Sequence, residues 1–431
     1  MTAPRPAGDA ELAATLGPQV REWLEANWNP DLRVRDWWEL VAQAGWSKPQ
    51  FPVEHGGRGL PTKAETVVRA TFKLHGALPP PGGLGHMMAA PTIITEGTPE
   101  QVARHIPPIL RGQVGWCQLF SEPGAGSDLA SLTTRAVRDG DNYVVTGQKV
   151  WTSQAMEADF GMLLARTDPD VPKHKGITWL VLPMNQPGVD VRPLREMTGR
   201  AWFNEVFIDE AVASADDVVG GVGGGWRVAQ TTFLFERSGI GPDGTYSMLP
   251  HPGHKTGNLE RRAGDLIGDE PPAFAKLEVE DLIALARTYG RNRDPVIRQE
   301  IARLMSVRFT SVWNDRRVRA NPDPRTASGM ASVGKLLSGA YSRGSVRVAN
   351  EIVGAAGMLQ GHDGPLDGLV AEATVASGGA GIGGGTDQIM RNVISERVLA
   401  LPREPRNDAQ IPFRDLPKNT ISARRPQSGT Q

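Results

Sequence analysis

Along the first quarter of the chain, apolar side chains recur every three to four positions in three windows, 11–28, 35–44 and 63–75, the spacing that gathers them on one face of a helix. Between the second and third windows, 47–62 (SKPQFPVEHGGRGLPT) carries the turn residues of a loop. From about residue 113 the period shortens. LTTRAVRD and NYVVTGQKVWTS flank an Asp-Gly turn at Asp139 and Gly140, and FGMLLART, GITWLVLPM, VDVRPL and WFNEVFID follow with Pro, Gly or Asp between them. Short strands with no helix between them predict an antiparallel sheet or a small barrel. After GGVGGG at 220–225 the helical spacing returns, at 226–236, 277–289, 296–313, 331–353 and 386–399.

The pattern predicts an α+β chain in three parts: an N-terminal helical domain (1–112), a middle antiparallel β-barrel domain (113–218) and a C-terminal helical domain (219–402). The Pro/Gly/charged stretch at about 240–277 has no period and reads as an insertion, a lid or a flap. The Arg/Pro-rich tail 403–431 reads as extended or partly disordered. There is no internal repeat.

Composition narrows the function. The chain has 431 residues, room for two or three domains, and 47 Lys and Arg against 48 Asp and Glu. That balance argues against a nucleic-acid partner, while leaving room for a local basic groove toward a ligand's phosphates. No apolar run reaches the ~18 residues of a membrane span, so no membrane insertion is expected, and the first residues lack the pattern of a secretory leader. Cys117 is the single cysteine, which excludes disulfides and cysteine-rich metal sites and fits a reducing cytoplasm.

Two motifs carry chemistry: WCQLFSEPGAGSDLASL at 116–132 and TGQKVWTS at 146–153. GAGSD is a tight turn rich in backbone donors, with a hydroxyl at Ser127, able to cradle a phosphate or the polar edge of a ring. Trp151, near the end of a strand, offers a large flat face. Alone, such a turn is usually only a turn and a strand tryptophan usually core. Together with FPVEHGGRGL (51–60), PTIITEGTPEQVARHIPPILRG (91–112), FNEVFIDEAV (203–212), GWRVA (225–229), EIVGAAGM (351–358) and GGGTDQIMRNVISERVLALP (383–402), they make a chain that resembles the acyl-CoA dehydrogenase family over nearly its whole length, except 240–277 and both tails.

The resemblance implies an N-terminal helical domain, a middle β-barrel and a C-terminal four-helix bundle, with FAD between barrel and bundle. It implies a homodimer or homotetramer whose subunits share the cofactor environment, and dehydrogenation of an acyl-CoA to a trans-2-enoyl-CoA with electrons leaving to an electron-transfer flavoprotein. By position, Phe120, Ser121, Gly126 and Ser127 line the flavin and the thioester end of the substrate, and Trp151 and Ser153 pack on and bond to the flavin ring. Thr386 and Gln388 meet FAD at the start of the last helix, where helix amides favour an anionic pyrophosphate. Arg291 matches an arginine that reaches a neighbouring subunit's FAD. Arg293 and Asp294 stand where the family usually has Thr and Phe, and Glu351 replaces a common Gln, so the adenine end of the cofactor site is altered.

The reaction removes an α-proton while a β-hydride leaves to the flavin, so it needs a carboxylate base in a dry pocket, where its pKa is raised. Most family members carry that Glu directly before Gly-Thr. Here the position is Gly384, whose backbone N–H is still able to donate to the thioester carbonyl. A minority, including isovaleryl- and long-chain-type members, carry the Glu on a bundle helix directly before an Arg. This chain reads FLFERSG at 233–239 and so points to Glu236 as base, with Arg237 near the CoA or thioester. A Glu–Arg pair is ordinarily helix surface; the glycine at 384 tilts the reading toward catalysis. At family level, that placement hints at bulky or branched acyl groups.

Three further patterns carry less. GAGIGG (379–384) matches GxGxxG but has no second strand for a dinucleotide fold. HPGH (251–254) lacks a third ligand, so no metal is expected, and Cys117 has no activating base. Two other functions remain open: a non-catalytic or partner subunit of a heteromeric dehydrogenase, and a flavin monooxygenase on the same fold.

Overall fold

The computed structural model describes residues 7–239, 252–268, 275–320, 324–403, 405 and 408–417. Helices α1 (Ala7–Asn27), α2 (Val34–Gln43) and α3 (Ala64–His75) turn their apolar stripes onto one another around Leu24, Trp37, Trp38 and Phe72. A π-helical turn, Gly85–Ala89, leads into α4 (Ala90–Glu96). Helix α5 (Pro99–Leu110) starts at a capping box, in which the Thr98 hydroxyl accepts from Gln101 N and the Gln101 amide oxygen accepts from Thr98 N.

Eight strands follow: β1 (Trp116–Leu119), β2 (Arg135–Asp139), β3 (Asn142–Ser153), β4 (Phe160–Arg166), β5 (Ile177–Pro183), β6 (Val189–Leu194), β7 (Phe203–Ser214) and β8 (Val218–Val219). They form one sheet in the order β6-β7-β3-β2-β4-β5-β8, with β1 beside β4. The pairings are antiparallel as expected, apart from β1 with β4 and a single β2–β4 pair, Arg135 with Arg166. Before β4 the chain must run out from β1 through the GAGSD loop and the β2–β3 hairpin, and that crossover makes the pair parallel. Cys117, Tyr143, Leu163, Leu180, Val206 and Ala213, from five strands, close on a shared core, so the sheet curls around its own interior.

The last part holds α6 (Gly225–Gly239), α7 (Val279–Thr288), α8 (Pro295–Ala320), α9 (Pro324–Val353), α10 (Leu369–Ala376) and α11 (Asp387–Arg397). Helices α7, α8, α10 and α11 pack on α9, whereas α6 packs on α4, the π-helical turn and β5. Residue 225 is glycine for a steric reason: a Cβ there would lie 2.5 Å from the Thr178–Trp179 backbone, so the helix sits tight on β5.

Two stretches read from sequence as irregular are tied down. Residues 252–268, part of the expected lid or flap, form three short 3-10 turns strapped to the N-terminal helices. There Leu259, Ala263 and Leu266 join the tryptophan core, and Ala263 N and Gly264 N donate to Leu32 O and Pro30 O. The rest of that insertion, 240–251 with His251 and 269–274, lies outside the described residues. In the tail, Pro412 bridges to Pro172 and Phe413 is buried against the end of β4. Three-residue turns anchored by single apolar side chains leave no period to read.

Candidate active site

The turn after β1 rests on a buried ion pair. Glu122 accepts from Thr133 N (2.7 Å), Thr133 Oγ1 (2.8 Å), Thr134 N (2.9 Å) and Lys149 Nζ (2.9 Å). Lys149, fully buried on β3, donates its other two protons to Phe120 O (3.1 Å) and Leu164 O (2.8 Å). Burial opposes the charge on Glu122, yet Lys149 and the threonine donors outweigh it and hold the carboxyl at about 2. Every donor and acceptor of the pair is used, so the loop is held from beneath.

Above that pair the loop is open. Gly126 and Ser127 are exposed, and a Cβ on Gly124 or Gly126 would meet nothing within 4 Å. Ser121 O accepts from Val150 N (3.0 Å), which ties the loop to the residue before Trp151. The β3–β7 register slips between Lys149 and Thr152, and within this bulge Trp151 takes φ +60°. A left-handed backbone at tryptophan is unfavourable, and a bulge beside a site characteristically re-aims a side chain. The result is a ring 58% exposed, edge-on to Phe203 at 5.7 Å, with Ser153 two residues on.

Helix α6 brings in the third component. Val228 and Ala229 are buried, and Thr232 is held by Val228 O (3.0 Å) and the Thr92 hydroxyl (3.2 Å). Glu96 of α4 receives Thr231 Oγ1 (2.7 Å) and pairs with Arg227. Phe233 meets Phe120 edge-on at 5.6 Å. Glu236 lies one turn further on the same side and is partly buried. Trp151, Ser121, Phe120, Phe233 and Glu236 therefore form one continuous chain of neighbours. Arg237 follows in α6, and its side chain lies outside the described residues.

The other expected residues sit on the bundle. Thr386 caps α11, its hydroxyl accepting from Ile389 N (3.2 Å), and Gln388 and Gly384 are exposed. Asp387 already brings an acid to that helix start, balanced by Arg343 (2.9 Å) and Lys335 (3.5 Å). Gly384 and Gly385 take φ +65° and +92°. Arg200, in the β6–β7 connection, donates to Glu372 of α10 (2.7 Å) and ties the sheet to the bundle. Arg291 lies apart from both groups, between α7 and α8, where Asp294 accepts from its Nε (3.1 Å) and Nη2 (2.7 Å) and Glu351 O from its Nη1 (3.3 Å).

Comparison with known proteins places this arrangement. Residues 9–113 match the acyl-CoA dehydrogenase N-terminal domain, 117–211 the middle domain and 272–399 the C-terminal domain. The acyl-CoA dehydrogenase IpdE1 of Mycobacterium tuberculosis is 37% identical over 384 residues, 86% of this chain and 88% of that protein. The chain belongs to the acyl-CoA dehydrogenase family. It is an oxidoreductase of that class, and its fold is shared with solved relatives. The steroid ACAD Tcur3481-Tcur3483 matches with a TM-score of 0.66 at 27% identity, over 94% of this chain and all of that one. The ChsE4-ChsE5 complex from Mycobacterium tuberculosis matches with 0.65 at 25%, over 94% of this chain and all of that one.

Acyl-CoA dehydrogenases are flavoproteins that typically hold FAD, and the residues of this acyl-CoA dehydrogenase fit such a group. A raised aromatic face and a glycine turn with open space in front suit a flat ring with polar edges. Sequence reasoning passed over Glu122, Lys149 and Arg166, which support that turn from inside. The one signal was Lys149 itself, a cation in the middle of an otherwise apolar strand face. Its partner, 27 residues away, is visible only in three dimensions.

Proposed function

We propose that this acyl-CoA dehydrogenase converts a bulky acyl-CoA thioester to its trans-2-enoyl-CoA in the cytoplasm, with FAD as cofactor and an electron-transfer flavoprotein as acceptor. The observation that carries this reading is Trp151, raised into an unfavourable backbone conformation to expose a flat face beside the open 121–127 loop. FAD, when bound, supplies the acceptor for the β-hydride. Trp151 and Ser153 bind and orient the ring, and Phe120, Ser121, Gly126 and Ser127 hold its edge and the thioester. Glu236, at the end of an apolar stripe, takes the α-proton on its carboxylate. The N–H of Gly384 donates to the thioester carbonyl, which stabilises the developing enolate charge. The family resemblance assigns Arg237 to the CoA or thioester end, and Thr386 and Gln388 to the FAD on the bundle side.

Bulk in the acyl group is supported by the steroid ACAD among the structural neighbours. A second reading concerns assembly: Asp294 engages Arg291 within its own chain, and one neighbour is a two-protein complex. Both favour a pairing with a homologous subunit that completes the adenine end, over a homodimer or homotetramer.

The test is anaerobic reduction of the purified flavoprotein by a panel of acyl-CoA thioesters, from short-chain to steroid side-chain. Bleaching of the wild type and its loss in a flavin-loaded Glu236→Gln variant are expected. Unchanged bleaching in that variant would place the base elsewhere. Oxygen-dependent turnover of a substrate lacking CoA would instead identify a monooxygenase.

A further inference from the structure

The tail that follows α11 docks beside the proposed substrate loop. Phe413 N donates to Val171 O (3.0 Å) and Arg414 N to Pro169 O (3.0 Å), and the Pro412–Pro172 bridge lies directly before them. Two cations connect this docked segment to the turn that carries Ser127. Lys173 holds Asp128 (2.9 Å) on one side and Asp408 of the tail (3.0 Å) on the other, its side chain only 13% exposed. Arg166, at the end of β4, donates through Nη2 to Ala130 O (2.7 Å) and Leu132 O (3.2 Å) and through Nη1 to Lys173 O (2.6 Å). The ring of Phe413 lies 3.6 Å from that guanidinium and covers its outer face. Burial brings Arg166 down to about 10, so it is still a cation at neutral pH, and Phe413 shelters it from water.

We propose that the C-terminal tail is a positioning element of the catalytic site: residues 408–417 hold the 126–132 turn in its binding shape through Lys173 and Arg166. Asp128 is next to Ser127 and accepts from Ser131 Oγ (2.5 Å), so the shared lysine fixes both ends of the turn at once. On its outer side the same turn faces open space. The tail starts where α11 ends, so a single stretch of chain links the helix capped by Thr386 to the loop of Ser127. This inference rests on the assignment of that loop to flavin and thioester.

The consequence is a split between binding and chemistry. Glu236 and Trp151 stand on α6 and β3, whereas the bonds of the described tail residues run to the 166–173 segment, so weakening them loosens ligand binding and spares the proton step. Phe413→Ala and a chain ending at residue 405 are compared with the full chain by amide deuterium exchange and by kinetics with an acyl-CoA that bleaches the wild type. Faster exchange confined to 123–132, a KM about fivefold higher and kcat per bound flavin within about twofold are expected, with Phe413→Tyr restoring both readouts. Wild-type exchange and KM in both altered chains would overturn the inference. So would equal losses across the whole molecule, the mark of a merely structural role. Should no acyl-CoA bleach the wild type, the functional reading fails, while the exchange arm still reports on the tail.

Discussion

On the sheet side of the proposed site, the 122–134 turn stands on a buried, fully hydrogen-bonded ion pair; on the bundle side, the 377–385 turn is mostly glycine and faces solvent. Gly378, Gly379, Gly383 and Gly384 would each tolerate a Cβ without a close contact, whereas Lys149 has no accessible surface. One wall is set by folding alone. The other is a short 3-10 segment tied to α9 by Lys335 Nζ on Ala380 O (2.7 Å), and its glycines leave open space where a ligand or a neighbouring subunit would meet it. Helix α6 joins the sheet side through Phe233 on Phe120, and the proposed base stands on it one turn further on.

The comparison is broken most directly at the base. Glu236→Gln is expected to slow flavin reduction by acyl-CoA about a thousandfold while flavin content is kept. Single-turnover bleaching measures it, and a small effect would detach α6 from the chemistry. Next, Lys149→Met strands Glu122 in the interior and is expected to lower stability by about 3–5 kcal/mol. Lys335→Met on the bundle side leaves the buried Asp387 its half-exposed arginine partner but removes the cation nearest its other oxygen, so the expected loss is smaller, about 1–2 kcal/mol. Denaturant unfolding of the two variants sharpens or removes the contrast.

Acid provides a third test. Glu122 and Glu65 are held at about 2, below the ordinary 4.5, because nearby cations outweigh the cost of burial. For a depressed carboxylate the stabilisation is complete above its unfolded pKa and is lost as pH falls through the folded value. His86 is pushed down to about 3 by burial, chiefly, and by Lys48 and Arg69, so protonation on acidification also opposes folding. Stability is therefore expected to fall between about pH 6.5 and 3 from His86 and between about 4.5 and 2 from the carboxylates. A His86→Gln variant flattens the upper limb in a melting-temperature titration.

Smaller effects remain. Trp151→Gly is expected to weaken FAD retention about tenfold, read by flavin release during gel filtration. Gly384→Ala has room for the methyl but strains a backbone at φ +65°, so about 1 kcal/mol of stability and less than a threefold change in KM are expected.

Much of this was legible in the sequence because the signals were local. NYVVTGQKVWTS became β3 and VDVRPL became β6 at their expected limits, and the helical windows fell on α1, α2, α3, α6 and α11 within a few residues. The residues that grip the site were not legible. Glu122 lies in the connection after β1 and Lys149 on β3, and nothing in either segment names its partner. β1 is only four residues long and pairs parallel, so it escaped a search for alternating strands joined by turns. The strap at 252–268 and the tail at 408–417 hold by a few apolar side chains, backbone bonds and ion pairs to distant residues, which composition reads as loop.

Trp151 has one more implication, for anyone engineering this protein. Its left-handed backbone is unfavourable by about 1–2 kcal/mol for a side chain of that size, and glycine or asparagine would relieve it. A library sorted for heat resistance alone is expected to drift toward small residues at 151 and return sturdier molecules that hold FAD less tightly. Turnover has to be scored beside melting from the first round.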